Sequence, residues 1–285
     1  MPELPEVETV ANDLNKVLTN KKILEIKALD KKILASSVIA LKKQILGQKI
    51  KGVRRRAKMV IVDFGQHWLI FHLKMTGQLI FRSKKNIIAG GHPIVSTGLE
   101  VPNKFTRLIF KLSDNSFLYF NDIRKFGWAK IINFKDFSDI ESSVGHEPLN
   151  KEFTLNVFNQ LLTRRPKMLI KAFLLDQKLI AGLGNIYVDE VLFQAGVRPI
   201  RRVKTLTNLE QTKIFKAIPI ILKKAILKRG TTFSNYLDGH GSKGSFVPFL
   251  KVYGRANKPC KNCGQLIEKI RVAGRGTHYC PKCQK

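Results

Sequence analysis

Apolar residues near the start of the chain recur at the spacing of a helix. Residues three or four positions apart lie on one face of an α-helix, and an apolar stripe of this kind is typical of a helix that packs on a core. The stripe consists of Val7, Val10, Ala11, Leu14, Val17 and Leu18. Pro5 suits the first turn of such a helix, because its missing N–H is not needed there. The pattern predicts an amphipathic helix that begins within the first few residues.

A different pattern follows as far as about residue 134. Short runs rich in β-branched and aromatic residues alternate with Gly, Asn, Asp and Ser, which is typical of strands joined by turns. The predicted strands are 59–64, 68–73, 78–81, 107–112, 117–120 and 128–132. Residues 83–103 show no clear periodicity and predict a long surface loop. We expect an antiparallel β-sandwich or barrel against which the first helix packs.

Helical periodicity replaces the strand pattern from about residue 135 onward. The predicted helices are 154–163, 167–179, 185–195 and 207–229. The last of them opens on Thr207 and Glu210, which have the spacing of a capping box. It also contains Pro219, which predicts a kink. Two glycines precede Asn185, so that we expect a sharp turn with Asn185 as the helix N-cap.

All four cysteines lie near the end of the chain, as the pairs Cys260-x-x-Cys263 and Cys280-x-x-Cys283. This spacing is typical of a four-cysteine Zn²⁺ site on two knuckles, with a β-hairpin between them. Residues 274–277 would form the turn of that hairpin and project Arg275 outward. Four thiolates leave no open position on the metal, and we therefore predict one structural zinc ion.

Charge narrows the class of partner. The chain has 51 Lys and Arg against 21 Asp and Glu, a formal net charge of +30. A polyanion is the natural partner of such a chain. The charge indicates nucleic acid but no particular chemistry. No apolar run reaches membrane-spanning length, and we expect a cytoplasmic protein without a membrane partner.

The N-terminus offers candidate chemistry. Removal of the initiator Met would leave Pro2 with a free secondary amine, directly before a helix and beside Glu3. The positive end of the helix dipole disfavours the charged form of such an amine. A neutral amine can attack a sugar carbon and form an iminium. The alternative is an ordinary capped helix whose acidic residues favour the dipole.

Three turns offer candidate nucleic-acid contacts. Arg124 and Phe126 stand two residues apart, which puts both side chains on one face of an extended segment, where they would fill a gap in a base stack. A salt-bridged Arg and a core Phe are the alternative. Met75 lies in another turn, and the alternative for it is a place in the core, which is the commoner role of a methionine. Lys58 ends a basic run before a strand and is a catalytic, phosphate-binding or solvated residue.

Three segments together resemble one family strongly, the bacterial formamidopyrimidine-DNA glycosylases, relatives of endonuclease VIII. They are the opening Pro-Glu-Leu-Pro-Glu, residues 181–187 (AGLGNIY) and residues 274–284 (GRGTHYCPKCQ). The resemblance implies a multidomain α+β protein. Its parts would be a β-sandwich catalytic domain (1–134), a helix-two-turns-helix DNA-binding domain (135–245) and a zinc finger (246–285). It also implies an enzyme that removes 8-oxoguanine and formamidopyrimidines from duplex DNA and then nicks the strand.

The same resemblance implies the catalytic roles. Pro2 matches the nucleophile that attacks C1′ of the damaged nucleotide, and Glu3 matches the acid that protonates the sugar. Lys58 matches a proton donor in the β-elimination. Arg275 matches the zinc-finger arginine assigned to the δ-elimination and to the grip on the lesion phosphates.

Contacts to DNA follow in the same way. Met75, Arg124 and Phe126 resemble the trio that fills the void after a base is flipped out. The implied phosphate contacts are His72, Arg165, Lys171 and Asn185. Residues 231–243, which end at Lys243, correspond to a lesion-capping loop. The implied partner is damaged double-stranded DNA, bound by a monomer.

One segment departs from the family pattern. Many members carry Lys-His-Asp-His where this chain has Lys104-Phe105-Thr106-Arg107, so the histidine contact to DNA is not expected here. We expect Arg107 to substitute for it, and Phe105 is a further predicted DNA contact. Other functions stay open on the sequence alone. They are an endonuclease VIII-like enzyme for oxidised pyrimidines, a non-catalytic zinc-containing nucleic-acid-binding protein, and a damage-recognition protein that has lost catalysis.

Overall fold

The computed structural model describes residues 1–91, 100–231 and 246–285. The described chain forms two compact units. The first contains residues 1–142 and residues 228–231, and the second contains residues 143–227 and 246–285. None of the described helices is long and apolar enough to cross a membrane.

Helix α1 (Leu4–Leu18) is the predicted N-terminal helix. Glu3 is its N-cap and forms a capping box with Glu6, and Pro5 lies in the first turn. The apolar stripe is buried on one face, except for Val17, which is half-buried and packs against the same core. The first unit also contains nine described strands, β1 (Ile23–Ala28), β2 (Gly52–Arg56), β3 (Met59–Asp63), β4 (His67–His72), β5 (Gly77–Arg82), β6 (Ile87–Gly91), β7 (Thr106–Leu112), β8 (Phe117–Asp122) and β9 (Trp128–Asn133). Helix α1 packs against β2, β3 and β6.

These strands form two antiparallel sheets, which confirms the predicted sandwich. One sheet has five strands in the order β1-β7-β8-β5-β6, and the other has four in the order β2-β3-β4-β9. Phe71 of the second sheet lies edge-on to Phe110 and Phe120 of the first, with ring centroids 6.1 and 5.4 Å apart. All three rings are buried, so the core lies between the sheets.

The predicted long loop is partly a strand. Residues 87–91 form β6, which pairs with β5 from Gln78 to Arg82, while residues 92–99 lie outside the described residues. Gly90 lies so close to α1 that a Cβ there would stand 2.3 Å from a methyl carbon of Val10. The contact requires a glycine, and glycine weakens the sequence pattern by which a strand is recognised.

The basic run before β3 is also a strand, β2, which the sequence did not predict. The guanidinium carbon of Arg54 lies 4.8 Å from the ring centroid of Phe137 and 5.9 Å from that of Trp68. Arg55 forms an ion pair of 2.6 Å with Glu8 of α1. These two arginines therefore serve the fold. Strand β1 and the helices α2 (Val38–Ile45) and α3 (Phe134–Ser142) were likewise not predicted.

The second unit contains the four predicted helices, with the second much shorter than expected. They are α4 (Leu155–Thr163), α5 (Ile170–Leu175), α6 (Asn185–Ala195) and α7 (Asn208–Leu227). The capping box is confirmed, since the Thr207 N–H lies 2.8 Å from Oε2 of Glu210 and the Glu210 N–H lies 3.2 Å from Oγ1 of Thr207. Asn185 is not the N-cap of α6. That position is Gly184, which has no side chain to cap with.

Strands β10 (Glu268–Val272) and β11 (Arg275–Tyr279) form the predicted hairpin between the cysteine pairs. Its turn is Ala273-Gly274, both with positive φ, rather than residues 274–277. Arg275 therefore begins β11, where it is exposed. Phe193 of α6 packs against Ile267 and two of the cysteines, so the finger shares a core with the helices.

Candidate functional site

The start of the chain is fixed by the cap of α1. Pro2 and Glu3 are both buried, and Glu3 is only 4% exposed. The Glu3 backbone N–H donates to Oε2 of Glu6 at 2.9 Å, and its carbonyl accepts from the Val7 N–H at 3.0 Å. Pro2 thus lies one residue ahead of a helix N-terminus that the capping box holds in place.

Glu6 is a site residue that the sequence argument missed. Its Oε1 accepts hydrogen bonds from the Thr231 N–H at 2.8 Å and the Thr231 hydroxyl at 3.0 Å. Gly230 has a φ of +79°, and a Cβ on it would lie 2.5 Å from the same oxygen. One buried carboxylate therefore holds both the residue after Pro2 and the chain at Thr231. The available signal was the acidic residue three positions after the cap.

Lys58 lies in the two-residue turn between β2 and β3 and is 6% exposed. Burial excludes the solvated alternative for this residue. The preceding Ala57 has a φ of +52°, which makes the turn tight. The positive charge of Lys58 also lowers the pKa of His72.

His72 ends β4 and is half-buried. Its Nδ1 accepts the Lys74 N–H at 3.0 Å, so the neutral ring carries its hydrogen on Nε2, where it is a donor for a phosphate oxygen. Burial, together with the positive charges of Lys74 and Lys58, lowers the pKa of His72 from 6.5 to about 4. The ring is therefore neutral at physiological pH.

The proposed insertion residues are exposed. Met75 is 40% exposed and Phe126 is 53% exposed, which excludes the core alternative for both. The guanidinium carbon of Arg124 lies 4.5 Å from the ring centroid of Phe126. Within the described residues no carboxylate pairs with Arg124. A cation and an apolar ring stand together at the surface, as stacking against bases requires.

The segment that departs from the family pattern is anchored to the protein. Arg107 donates from Nε to the carbonyl of Asp122 at 2.9 Å and from a terminal nitrogen to the carbonyl of Lys104 at 3.2 Å. Phe105 is half-buried, and the Lys104 ammonium lies 5.3 Å from its ring centroid. Contact of Phe105 and Arg107 with DNA stays a prediction.

Lys171 is placed differently from the prediction. It is 0% exposed, and its ammonium donates to Asp189 Oδ1 at 2.6 Å, to Thr277 Oγ1 at 2.8 Å and to the carbonyl of Gly276 at 3.4 Å. Its three N–H donors are directed to protein oxygens, which argues against the predicted phosphate contact of Lys171. The residue instead holds the strand that begins at Arg275.

Two further side chains hold that strand. Asn185 donates to the Gly276 carbonyl at 2.9 Å, and Asp189 Oδ2 accepts the His278 N–H at 2.8 Å. Sequence reasoning missed Asp189, because its partner is a lysine 18 residues away. Of the remaining predicted DNA contacts, Arg165 and Arg275 are exposed, whereas Lys243 lies outside the described residues.

The four cysteines converge as the spacing predicted. Their sulfur atoms lie within 4.8 Å of one another, with 3.9 Å between Cys260 and Cys283 and 3.5 Å between Cys263 and Cys280. A tetrahedral zinc site with bonds of about 2.3 Å needs sulfur atoms about 3.8 Å apart. A hydrogen bond from the Gln265 N–H, helped by the neighbouring cysteines, lowers the pKa of the Cys263 thiol to about 7, whereas burial raises the pKa of the Cys280 and Cys283 thiols. The cluster therefore fits one structural zinc ion.

Comparison with known proteins identifies each part of the chain. Residues 1–129 match the formamidopyrimidine-DNA glycosylase N-terminal domain, residues 144–236 match the formamidopyrimidine-DNA glycosylase H2TH domain, and residues 257–285 match the zinc finger found in FPG and IleRS. Formamidopyrimidine-DNA glycosylases of Listeria monocytogenes and Carboxydothermus hydrogenoformans are 38% and 40% identical to the chain, and each alignment covers 100% of both proteins.

A solved structure gives the same result. It is the complex between a Lactococcus lactis FPG variant and a DNA that contains Fapy-dG, with a TM-score of 0.86, 35% identity and full coverage of both chains. Full-length identity at this level excludes a family that shares only the fold. The chain therefore belongs to the formamidopyrimidine-DNA glycosylases, a family of base-excision repair enzymes that combine DNA glycosylase with AP lyase activity.

Proposed function

We propose that this enzyme removes oxidised purines, 8-oxoguanine and formamidopyrimidines, from duplex DNA and then cleaves the strand through an iminium intermediate on Pro2. The observation that carries the proposal is the buried Pro2-Glu3 start, locked ahead of α1 by the Glu6 capping box. The Lactococcus lactis relative has been solved with Fapy-dG DNA and with abasic-site DNA, which supports the same class of substrate.

The first step needs the initiator Met removed. The neutral Pro2 amine attacks C1′ of the nucleotide, the bond from C1′ to the base breaks with its electrons moving to the base, and the proton released by the Pro2 nitrogen goes to the departing base. The carboxylic acid form of Glu3 protonates the sugar oxygen, the bond from C1′ to that oxygen breaks as the ring opens, and the nitrogen lone pair forms the iminium. Burial of both residues excludes water, which strengthens the electrostatic effect of the helix terminus.

The iminium then makes strand cleavage possible. It acidifies the hydrogens on C2′, and loss of one of them expels the 3′ phosphate in a β-elimination. Lys58, buried in the β2–β3 turn, supplies a proton in this step. Arg275 grips the lesion phosphates and assists the δ-elimination, which expels the 5′ phosphate. The lysine and arginine roles rest on the family resemblance.

Access to C1′ requires the nucleotide to leave the helix. Unstacking costs a few kcal/mol. Met75, Arg124 and Phe126, all exposed, fill the vacated space and offset part of that cost. His72 donates from Nε2 to a phosphate, and Arg165 makes a further phosphate contact. The net charge of +30 supplies the salt-sensitive, sequence-independent part of binding.

The zinc finger has a structural task in this proposal. Zn²⁺ held by four thiolates supplies a cross-link and no site for water. The finger presents Arg275 at the first position of β11, and Lys171, Asn185 and Asp189 hold that strand. We further infer that the protein acts as a cytoplasmic monomer with domain boundaries near residues 134 and 245.

Oxidised pyrimidines are a second candidate substrate. The Lactococcus lactis enzyme has also been solved with DNA that contains an oxidised pyrimidine, at 36% identity and a TM-score of 0.84. Excision assays on matched duplexes with an oxidised purine or an oxidised pyrimidine measure the ratio of the two activities directly. We expect the purine to be preferred.

Borohydride trapping tests the proposed chemistry. A duplex with one 8-oxoguanine opposite cytosine, incubated with the enzyme and borohydride, should yield a covalent adduct. Pro2→Gly should bind this DNA yet lose most of the adduct, whereas the control Pro5→Ala, which changes the first turn of α1 but keeps the terminal amine, should still form it. Full activity in a protein shown by mass spectrometry to retain Met1 would contradict the mechanism.

A further inference from the structure

Asp122, at the end of β8, is a charged residue that the mechanism does not use. It is 0% exposed. Its Oδ1 accepts a short hydrogen bond from the Thr76 hydroxyl and a second from the Arg124 N–H at 3.1 Å, and its Oδ2 accepts the Gly127 N–H at 2.6 Å. The Thr76 hydroxyl oxygen also accepts the Arg124 N–H at 3.0 Å. One carboxylate therefore joins two separate turns.

Both turns carry the proposed insertion residues. Thr76 directly follows Met75, and Gly127 directly follows Phe126, so each bond to Asp122 lies one residue from an exposed side chain. The backbone of Asp122 binds a third segment, because its N–H donates to the Phe105 carbonyl at 2.9 Å and its carbonyl accepts from Arg107. The segment that departs from the family pattern is thus tied to the same residue.

The turns need such an anchor. Lys74 has a φ of +48° and Lys125 a φ of +57°, a left-handed conformation that side-chain-bearing residues adopt at a cost. Met75 and Phe126 are exposed, so core packing does not fix them. Hydrogen bonds from N–H and O–H groups to a buried carboxylate are stronger than neutral ones, and they fix geometry where packing does not.

We propose that Asp122 is a positioning residue that sets the spacing between Met75 and the Arg124–Phe126 pair, and that Thr76 is its partner in this task. The carboxylate is fully buried and acts on DNA only through the two turns. It controls replacement of the extruded nucleotide in an intact duplex, while the chemistry at Pro2 does not depend on it. The inference rests on the proposed function, since it needs the insertion step.

Three variants separate these effects. Asp122→Asn replaces one acceptor oxygen by an NH₂ group that must face an N–H or O–H donor. Thr76→Val keeps the side-chain shape but removes the hydroxyl, and Thr76→Ser restores the hydroxyl. Asp114→Asn is the matched control, because Asp114 caps the turn at the other end of β8 with a bond from the Ser116 N–H at 3.2 Å.

Two DNA substrates report on the two steps. The first is an intact duplex with 8-oxoguanine opposite cytosine, assayed by single-turnover excision. The second contains an abasic nucleotide whose partner strand lacks the opposing nucleotides, assayed by borohydride trapping, so that no stack has to be filled. Thermal unfolding of each variant verifies that it is folded.

We expect Asp122→Asn and Thr76→Val to slow excision from the intact duplex by about ten-fold or more, the effect of losing one hydrogen bond to a charged group. Trapping on the gapped DNA should stay within about two-fold of wild type, a difference too small to represent a lost hydrogen bond. Thr76→Ser should recover most of the duplex activity, and Asp114→Asn should resemble wild type on both substrates.

Other results overturn the inference. Equal losses on both substrates would make Asp122 a general structural residue, and wild-type excision by a folded Thr76→Val would show that the network does not position the turns. Wild-type protein that is trapped on the intact duplex but not on the gapped DNA would show that insertion and chemistry are inseparable. Wild-type protein that is trapped on neither would refute the proposed function itself.

Discussion

The ammonium of Lys171 lies 2.6 Å from Oδ1 of Asp189, and both side chains are fully buried. A buried ion pair that loses one partner leaves an unpaired charge in a poor solvent, which costs about 3–5 kcal/mol. We therefore expect Lys171→Met to lower the free energy of unfolding by that amount. Urea unfolding measures it. The double variant Lys171→Met/Asp189→Leu should recover a large part of the loss, because neither charge is then buried alone.

Arg165→Ala is the matched comparison for DNA binding. Arg165 is exposed at the end of α4, so its loss should leave stability unchanged but reduce the slope of log affinity against log salt by about one unit. Lys171→Met should keep the wild-type slope, since the Lys171 ammonium donates to Asp189, Thr277 and Gly276 inside the protein. Salt titrations on undamaged duplex measure both. A reduced slope for Lys171→Met would show that the buried lysine contacts DNA after all.

Zinc removal should destabilise the zinc finger rather than remove a catalytic ion. The four sulfur atoms lie within 4.8 Å of one another, and loss of the cross-link between the two cysteine pairs and exposure of the small shared core would loosen the finger. We expect one zinc ion per chain by elemental analysis. A chelator should weaken DNA binding and increase amide hydrogen exchange in residues 257–285 but not in α1. Active protein without zinc would contradict the assignment.

The sequence predicted the elements whose signals are local. The apolar stripe of α1, the Thr207–Glu210 capping box and the cysteine spacing each specify a structure within a few residues, and all three were confirmed. Strand β6 was missed because Gly90 is required by contact with Val10, a residue 80 positions earlier. The requirement for glycine at this position arises from a tertiary contact and leaves no signal in the neighbouring sequence.

The site shows the same limit. Exposure of Phe126 excluded the core alternative and burial of Lys58 excluded the solvated one, neither of which the sequence alone could exclude. Lys171 was assigned to phosphate on the family resemblance, yet its ammonium pairs with Asp189 inside the protein. Glu6 and Asp122 were missed because their importance lies in hydrogen bonds to residues distant along the chain. Charge type follows from sequence, whereas the partner of each charge depends on the fold.

His72 should make stability depend on pH. Its folded pKa of about 4 lies below its ordinary value of 6.5, so the unfolded state binds more protons between these values. The contribution of neutral His72 to the free energy of unfolding is therefore fully present above pH 6.5 and is lost as the pH falls toward 4. The full shift corresponds to about 3 kcal/mol. Urea unfolding at several pH values should show this loss in wild type and a smaller one in His72→Gln. Identical pH profiles for the two proteins would contradict the assignment.

Phe126→Ala separates a repair enzyme from a protein that only binds DNA. The ring is 53% exposed and lies beside the Arg124 guanidinium, so its removal should cost the fold little. Loss of a base-stacking aromatic is worth about 1–3 kcal/mol, or about 5- to 150-fold in excision from intact duplex. Binding to undamaged duplex should change much less, because it depends on phosphate contacts. Leu29→Ala, an equally exposed apolar residue in the first unit, is the control and should match wild type in both measurements. Excision at the wild-type rate by Phe126→Ala would mean that this ring does not enter the DNA and that the proposed insertion step is wrong.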